Sequence, residues 1–214
     1  PCAPGDPPEA IMAAYRAERD TFALTGSTTL PAGLNLGAQL FWLERTFNGI
    51  LDGTTLLPWP QYWAWFLSGA AVSETTSLGC HSDLWNPGSA SFSPLAERMG
   101  WAARFAPIVQ AGQPIGTLRP QLVTATGLPA EVKVLAGLHD SNAALLAARG
   151  FPEIAGDEAT VLSTGTWFIA MRLSTTPVNV ADLPAARDCL VNVDAEGRAA
   201  PSARWMGGRE IETL

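Results

Sequence analysis

Val132-Lys133-Val134-Leu135-Ala136-Gly137-Leu138-His139-Asp140-Ser141-Asn142-Ala143-Ala144-Leu145-Leu146-Ala147-Ala148 changes character twice within one segment. Residues 132–136 form an apolar run of strand length, Gly137 interrupts it, and Asp140-Ser141-Asn142 supplies capping residues ahead of the Ala-rich run 143–148. The order is strand, glycine turn, helix. Downstream, residues 159–162 and 167–171 are β-prone and flank Ser163-Thr164-Gly165-Thr166, the pattern of a tight hairpin. Between them, residues 151–157 combine a proline, a glycine and acidic side chains, as a linker between two units does.

Upstream of this core the chain is more helical. Residues 1–9 are a Pro- and Gly-rich loop, and 9–19 are Ala-rich and dotted with charge, which predicts a short helix. Within 34–47, Leu36, Leu40, Leu43 and Phe47 recur at spacings of three and four, the stripe of a helix that buries one face, with Glu44 and Arg45 off it. Pro58-Trp59-Pro60 precedes a predicted helix over 61–67 that stops at Ser68-Gly69. Its Trp63, Trp65 and Phe66 suit either a packed core or a sugar-stacking surface. Residues 73–84 read as a loop or short strand, 83–88 as a turn, 94–98 and 101–105 as short helical pieces, and 108–120 as a wandering connection. Residues 175–187 read as loop and 190–193 as a strand.

Composition narrows the function. The chain has 214 residues, 47% of them apolar and 15% charged, with a net charge of −7 and Lys133 as its single lysine. Such a chain can bury a sizeable core and offers no basic stripe for a nucleic-acid backbone. No apolar run approaches the roughly 18 to 20 residues that cross a bilayer, so a membrane partner is not expected. Three cysteines, Cys2, Cys80 and Cys189, form no C-x-x-C pair, which favours a reducing, cytoplasmic setting over a disulfide framework.

Two local groups can carry chemistry. Asp140 stands where a strand passes into a helix, so free N–H groups and the helix dipole favour its anion. There it can cap the helix, accept a proton from a substrate hydroxyl, or do both. The 163–166 turn gathers hydroxyls and a glycine where backbone N–H groups can converge on phosphate, although the same residues fill hairpin tips for turn reasons. Walker A, G-x-G-x-x-G and G-x-S-x-G patterns are absent. Cys80-His81 is not expected to bind metal, because neighbours on an extended segment point to opposite sides.

In combination these segments resemble the FGGY family of carbohydrate kinases. Residues 61–69 with Glu74-Thr75-Thr76-Ser77 are similar to the family's aromatic helix and the Thr/Ser-rich strand after it, and 107–118 to its stretch before the hinge. Ala136-Gly137-Leu138-His139-Asp140-Ser141-Asn142-Ala143-Ala144 resembles the segment holding the family's catalytic aspartate, and Ser163-Thr164-Gly165-Thr166-Trp167 its phosphate-binding hairpin. His before the Asp and Trp after Gly-Thr look most like the rhamnulokinase and fuculokinase side of the family.

The resemblance implies an α/β fold of the actin-like ATPase (ribonuclease H-like) type, with sugar and ATP meeting between two domains. It implies that residues 1–152 are the latter part of a sugar-binding domain and 153–214 the start of an ATP-binding one. The implied activity is ATP- and Mg²⁺-dependent phosphorylation of a ketose or deoxyketose. Asp140 is then the general base, His139 a sugar-binding residue, and Thr164, Gly165 and Thr166 phosphate contacts. The family's Asp-x-Gly-Thr hairpin and Gly-rich adenosine loops do not occur, so the chain is expected to be a fragment without turnover of its own. The expected partners are sugar and ATP, with room for a homodimer. A non-catalytic sugar-binding module and an actin-like ATPase sharing only the fold stand as alternatives.

Overall fold

A computed structural model describes residues 8–156, 158–165, 167–185 and 188–208. The first part is mainly helical: α1 (Glu9–Glu18), α2 (Phe22–Thr25), α3 (Leu36–Thr46) and α4 (Trp59–Ser68). Short elements follow: β1 (Ser73–Glu74), α5 (Thr75–Leu78), β2 (Trp85–Asn86), β3 (Ser91–Phe92), α6 (Pro94–Arg98), β4 (Ile108–Val109), β5 (Pro114–Thr117) and α7 (Pro120–Thr126). Next come β6 (Lys133–Leu135), α8 (Asp140–Ala148), β7 (Ala159–Ser163), β8 (Phe168–Leu173), β9 (Cys189–Val193) and β10 (Ala199–Trp205). The last four strands make an antiparallel sheet in the order β7-β8-β10-β9. The other sheets are two-stranded: β1 with β4 in parallel, and antiparallel pairs β2 with β3 and β5 with β6.

The predicted strand–turn–helix and hairpin are both present, as β6–Gly137–α8 and β7–β8. Helix α4 ends as predicted, with Gly69 left-handed at φ 90° and its N–H donated to Trp65 O. The packing of α3 differs from the sequence expectation, and on α4 it leaves most of the aromatics outside the core. On α3 the buried side is Ala38, Leu40, Phe41 and Trp42, whereas Phe47 is exposed beyond the helix end. The face is rotated because α1 packs on it, bringing Tyr15 to 5.6 Å from the Phe41 ring. On α4 the buried residues are Gln61 and Ala64, while Trp59, Tyr62, Trp63 and Phe66 stack on one another outside the core, with Trp59 68% exposed.

Strand β10 is an element the sequence does not announce. Ala199-Ala200-Pro201-Ser202 contains a proline, which interior strands exclude for want of an N–H. Pro201 pairs only with Val191 of β9, because the β8 ladder covers residues 202–205 alone. The proline thus sits on a stretch with one free side. Residues 108–120, expected as irregular, contribute β4 and β5, two short strands whose partners are remote in sequence.

Strand β9 docks on the helical part through two glycines. Val191 N–H donates to Gly26 O at 2.9 Å, and a Cβ added to Gly26 would stand 2.4 Å from Val191 Cβ. Gly79, the cap of α5, leaves the space that Val193 fills beside Leu78 and Trp85. A Cβ there would lie 2.3 Å from Val193 Cγ2 and 3.0 Å from Thr75 O. Gly79→Ala is therefore expected to lower the unfolding free energy by about 1–3 kcal/mol, the usual cost of overpacking. Gly112→Ala, which meets nothing within 4 Å, should stay within about 0.5 kcal/mol of the parent. Urea midpoints of the two variants measure the difference.

Candidate active site

Gly137 leaves β6 at φ 77°, a conformation that favours glycine, and the chain runs extended through His139 before α8 begins at Asp140. Two buried side chains hold this turn. From α4, Gln61 Nε2 donates to Ala136 O (3.2 Å) and Gly137 O (3.1 Å). From the β1–α5 junction, Thr76 Oγ1 accepts the His139 N–H at 2.9 Å and donates to Glu74 Oε2 at 2.5 Å. Glu74 is fully buried and also accepts the N–H groups of Thr76 and Ser77 at 2.9 and 3.3 Å, capping α5. Burial raises its carboxyl above the ordinary range, opposed by the bonds from Thr76, Ser77 and Thr75.

The fixed turn places Asp140 in the open. Its carboxylate is 92% exposed; Oδ1 accepts Ser141 N–H at 2.6 Å and stands 3.0 Å from His139 Nδ1. His139 is itself the N-cap of α8: its Nδ1 accepts the Ser141 N–H at 3.3 Å, so this nitrogen lies between that donor and the Asp140 carboxylate. Burial pushes the His139 imidazole below its ordinary pKa, with Asp140 pulling the other way.

A cleft of about 510 Å³ opens beside Asp140, and His139 and Ser141 line it from the same side. Across the space, β7, β8, β9 and β10 contribute Ser163, Ile169, Asn192 and Arg204, and Trp167 follows the hairpin tip. Leu30 and Leu34 supply an apolar wall. The cleft thus unites Asp140, His139 and the base of the hairpin. Thr164 and Gly165 form the exposed tip beyond Ser163, and Thr166 lies outside the described residues.

Three lining residues escaped the sequence reading. Arg204 sits on unannounced β10, its guanidinium 5.2 Å from the Trp167 ring centroid, and so brings a cation to the cleft. Asn192, fully buried, donates Nδ2 to Ser202 Oγ at 2.9 Å, while its Oδ1, itself buried, has no partner among the described residues. His81 lines the cleft with Cys80, contrary to the expectation that the two point apart. The segment is not extended there: His81 has φ 39° and Asp83 φ 66°.

Among the described residues, the one grouping of His, Cys, Asp or Glu donors compact enough for a metal is Cys80, His81 and His139. That nitrogen–sulfur set does not suit Mg²⁺, which requires oxygen ligands. No helix among the described residues is long and apolar enough to cross a membrane.

The chain has relatives among known proteins. Residues 156–214 match the model of the carbohydrate kinase FGGY C-terminal domain. The chain is 33% identical over 149 residues to an L-fuculokinase of Salmonella typhi, covering 68% of this chain and 30% of that protein. It is 30% identical over 147 residues to a rhamnulokinase of Bacillus subtilis (strain 168), covering 68% and 29%. A solved carbohydrate kinase from Novosphingobium aromaticivorans superposes with a TM-score of 0.92 at 69% identity, over 97% of this chain and 45% of that one. A xylulose kinase from Rhodospirillum rubrum shares the fold, with a TM-score of 0.69 at 22% identity over 92% of this chain and 39% of its own. The chain therefore spans under half the length of these relatives. Its fold is the α/β actin-like ATPase fold, and the chain belongs to the FGGY family of carbohydrate kinases.

Proposed function

We propose that the complete protein is an ATP-dependent kinase acting on a hydroxyl of a ketose or deoxyketose. The observation that carries this is the shared cleft, lined by an exposed carboxylate fixed at a helix start, by Ser163 at the base of the hairpin and by an arginine. In the reaction, an Asp140 oxygen takes the proton of the sugar hydroxyl as the hydroxyl oxygen attacks the γ-phosphorus. The bond to the β–γ bridging oxygen breaks and ADP leaves. His139, held by Thr76 through its backbone and beside the Asp140 carboxylate, positions the sugar. The apolar wall of Leu30 and Leu34 suits the C–H face of the sugar. Thr164, Gly165 and Thr166 contact the transferring phosphoryl group, and Arg204 offsets its charge.

Mg²⁺ neutralises phosphate charge when bound. Residues 1–152 belong to the sugar-binding unit and 153–214 to the nucleotide-binding one. ATP as substrate and the free thiols Cys80 and Cys189 suit the cytoplasm.

Asp140→Asn in the complete protein should leave sugar affinity largely intact and lower kcat at least about 10²-fold. Near-parental turnover would remove Asp140 as the base. Gly165→Ala separates fold from function at the hairpin. The added Cβ meets nothing nearer than Trp167 O at 3.8 Å among the described residues, and φ lies outside the left-handed region. Thermal stability should therefore be unchanged, while the KM for ATP rises if phosphate approaches this backbone.

A second reading, a sugar-binding module without catalysis, is favoured by the exposed aromatic ladder of α4, none of which lines the cleft. Calorimetric titration of sugar with and without Mg-ATP decides between them. Kinase chemistry requires coupling between the two ligands, and the ladder reading requires an affinity indifferent to nucleotide.

A further inference from the structure

Cys80 and His81 enter the cleft from a bend that no regular element requires. His81 and Asp83 both take positive φ, a conformation few side chains tolerate at no cost. It is imposed from outside the bend. The fully buried Asp83 carboxylate accepts the Tyr15 hydroxyl at 2.5 Å and Arg19 Nη2 at 2.6 Å, Asn35 Nδ2 donates to His81 O at 2.9 Å, and Ser82 Oγ bonds Leu78 O. The result brings consecutive side chains to one side, opposite His139, whose ring stands 6.3 Å from that of His81 and perpendicular to it.

One ligand atom each from Cys80, His81 and His139 lies within 4.8 Å of the other two. Around a tetrahedral Zn²⁺, with bonds of about 2.0–2.3 Å, such atoms stand roughly 3.3–3.7 Å apart, so side-chain rotations closing about 1 Å complete the set. We propose that Cys80, His81 and His139 form a binding site for a thiophilic divalent cation of the Zn²⁺ type, with the fourth position open to the cleft. The donor set is the nitrogen–sulfur combination that such ions select over Mg²⁺. The His139 ring is held in place by its Nδ1, which stands 3.0 Å from the Asp140 carboxylate and accepts the Ser141 N–H at 3.3 Å. Cys80 is a buried free thiol. On binding, its S–H proton passes to solvent as the S–metal bond forms.

The ion would sit on the wall where His139 is proposed to hold the sugar. Competition with sugar is thus a corollary that rests on the kinase reading, whereas binding itself does not.

The test is titration of the purified chain with Co²⁺, in a Cys2→Ser/Cys189→Ser background where Cys80 is the single thiol. The expected result is one cobalt per chain with a thiolate-to-cobalt charge-transfer band and the intense visible bands of tetrahedral cobalt, all abolished by stoichiometric Zn²⁺. Cys80→Ser should remove the charge-transfer band. His81→Asn, a replacement that tolerates positive φ, should keep the fold and weaken cobalt binding roughly ten- to a hundredfold or more. A pale, six-coordinate spectrum without charge transfer overturns the proposal, as does a band that survives Cys80→Ser or an affinity indifferent to His81→Asn. If Cys80→Ser unfolds by near-ultraviolet circular dichroism, the His81→Asn titration decides alone. In the complete protein, Zn²⁺ should raise the apparent KM for sugar in the parent and much less in His81→Asn. Tight cobalt binding without that inhibition would overturn the corollary and leave the metal site standing.

Discussion

The buried carboxylate of Glu74 is the constraint from which the site is built. It accepts two backbone N–H groups at the start of α5 and the Thr76 hydroxyl, whose oxygen receives the His139 N–H. A fully buried acid is costly unless its acceptor capacity is filled, and here its donors are the first residues of α5, of which Thr76 passes the connection on to His139. With Gln61 gripping the carbonyls of residues 136 and 137, the turn ahead of α8 is tied to two elements far away in sequence. Asp140 can then be almost wholly exposed and still well placed, because the residues before it carry the order.

What could be read from the sequence is what local rules determine. The β6–Gly137–α8 passage and the β7–β8 hairpin depend on apolar runs, capping residues and turn chemistry within a few positions, and both stand where the residue pattern puts them. Strand β10 depends on partners: its proline is tolerated because the β8 ladder starts one residue later, which no window of sequence reveals. The bend at Cys80 and His81 is set by Tyr15 and Arg19, more than sixty positions away, acting on Asp83. The extended-chain rule failed there because its premise was local. The aromatic richness of α4 announced apolar surface without saying which side faces the core; one glutamine and one alanine decided that.

The charge distribution of the cleft follows from the same architecture. Lys133, the chain's single lysine, is exposed on β6 and takes no part in lining the cavity. The cation of the cleft is Arg204, which depends on β10 for its place. An arginine lying over an indole keeps its charge while offering a planar set of donors, a better match to phosphate oxygens than a mobile ammonium. Both poles of the site, the carboxylate on α8 and the guanidinium on β10, thus come from separate elements that meet only when the sheet docks.

That docking has a mechanical side. Gly26 and Gly79 bring backbone against Val191 and Val193 with no room for even a methyl group. Surfaces in such contact cannot glide past one another without opening a void or colliding, though they can tilt about the line of touch. Strand β9 therefore acts as a fulcrum. A rocking movement about it would swing Arg204 and the hairpin toward or away from Asp140, while Asn192, which lies between the two valines in sequence, stays close to the axis. The two least conspicuous glycines of the chain thereby define which motions of the cleft are cheap.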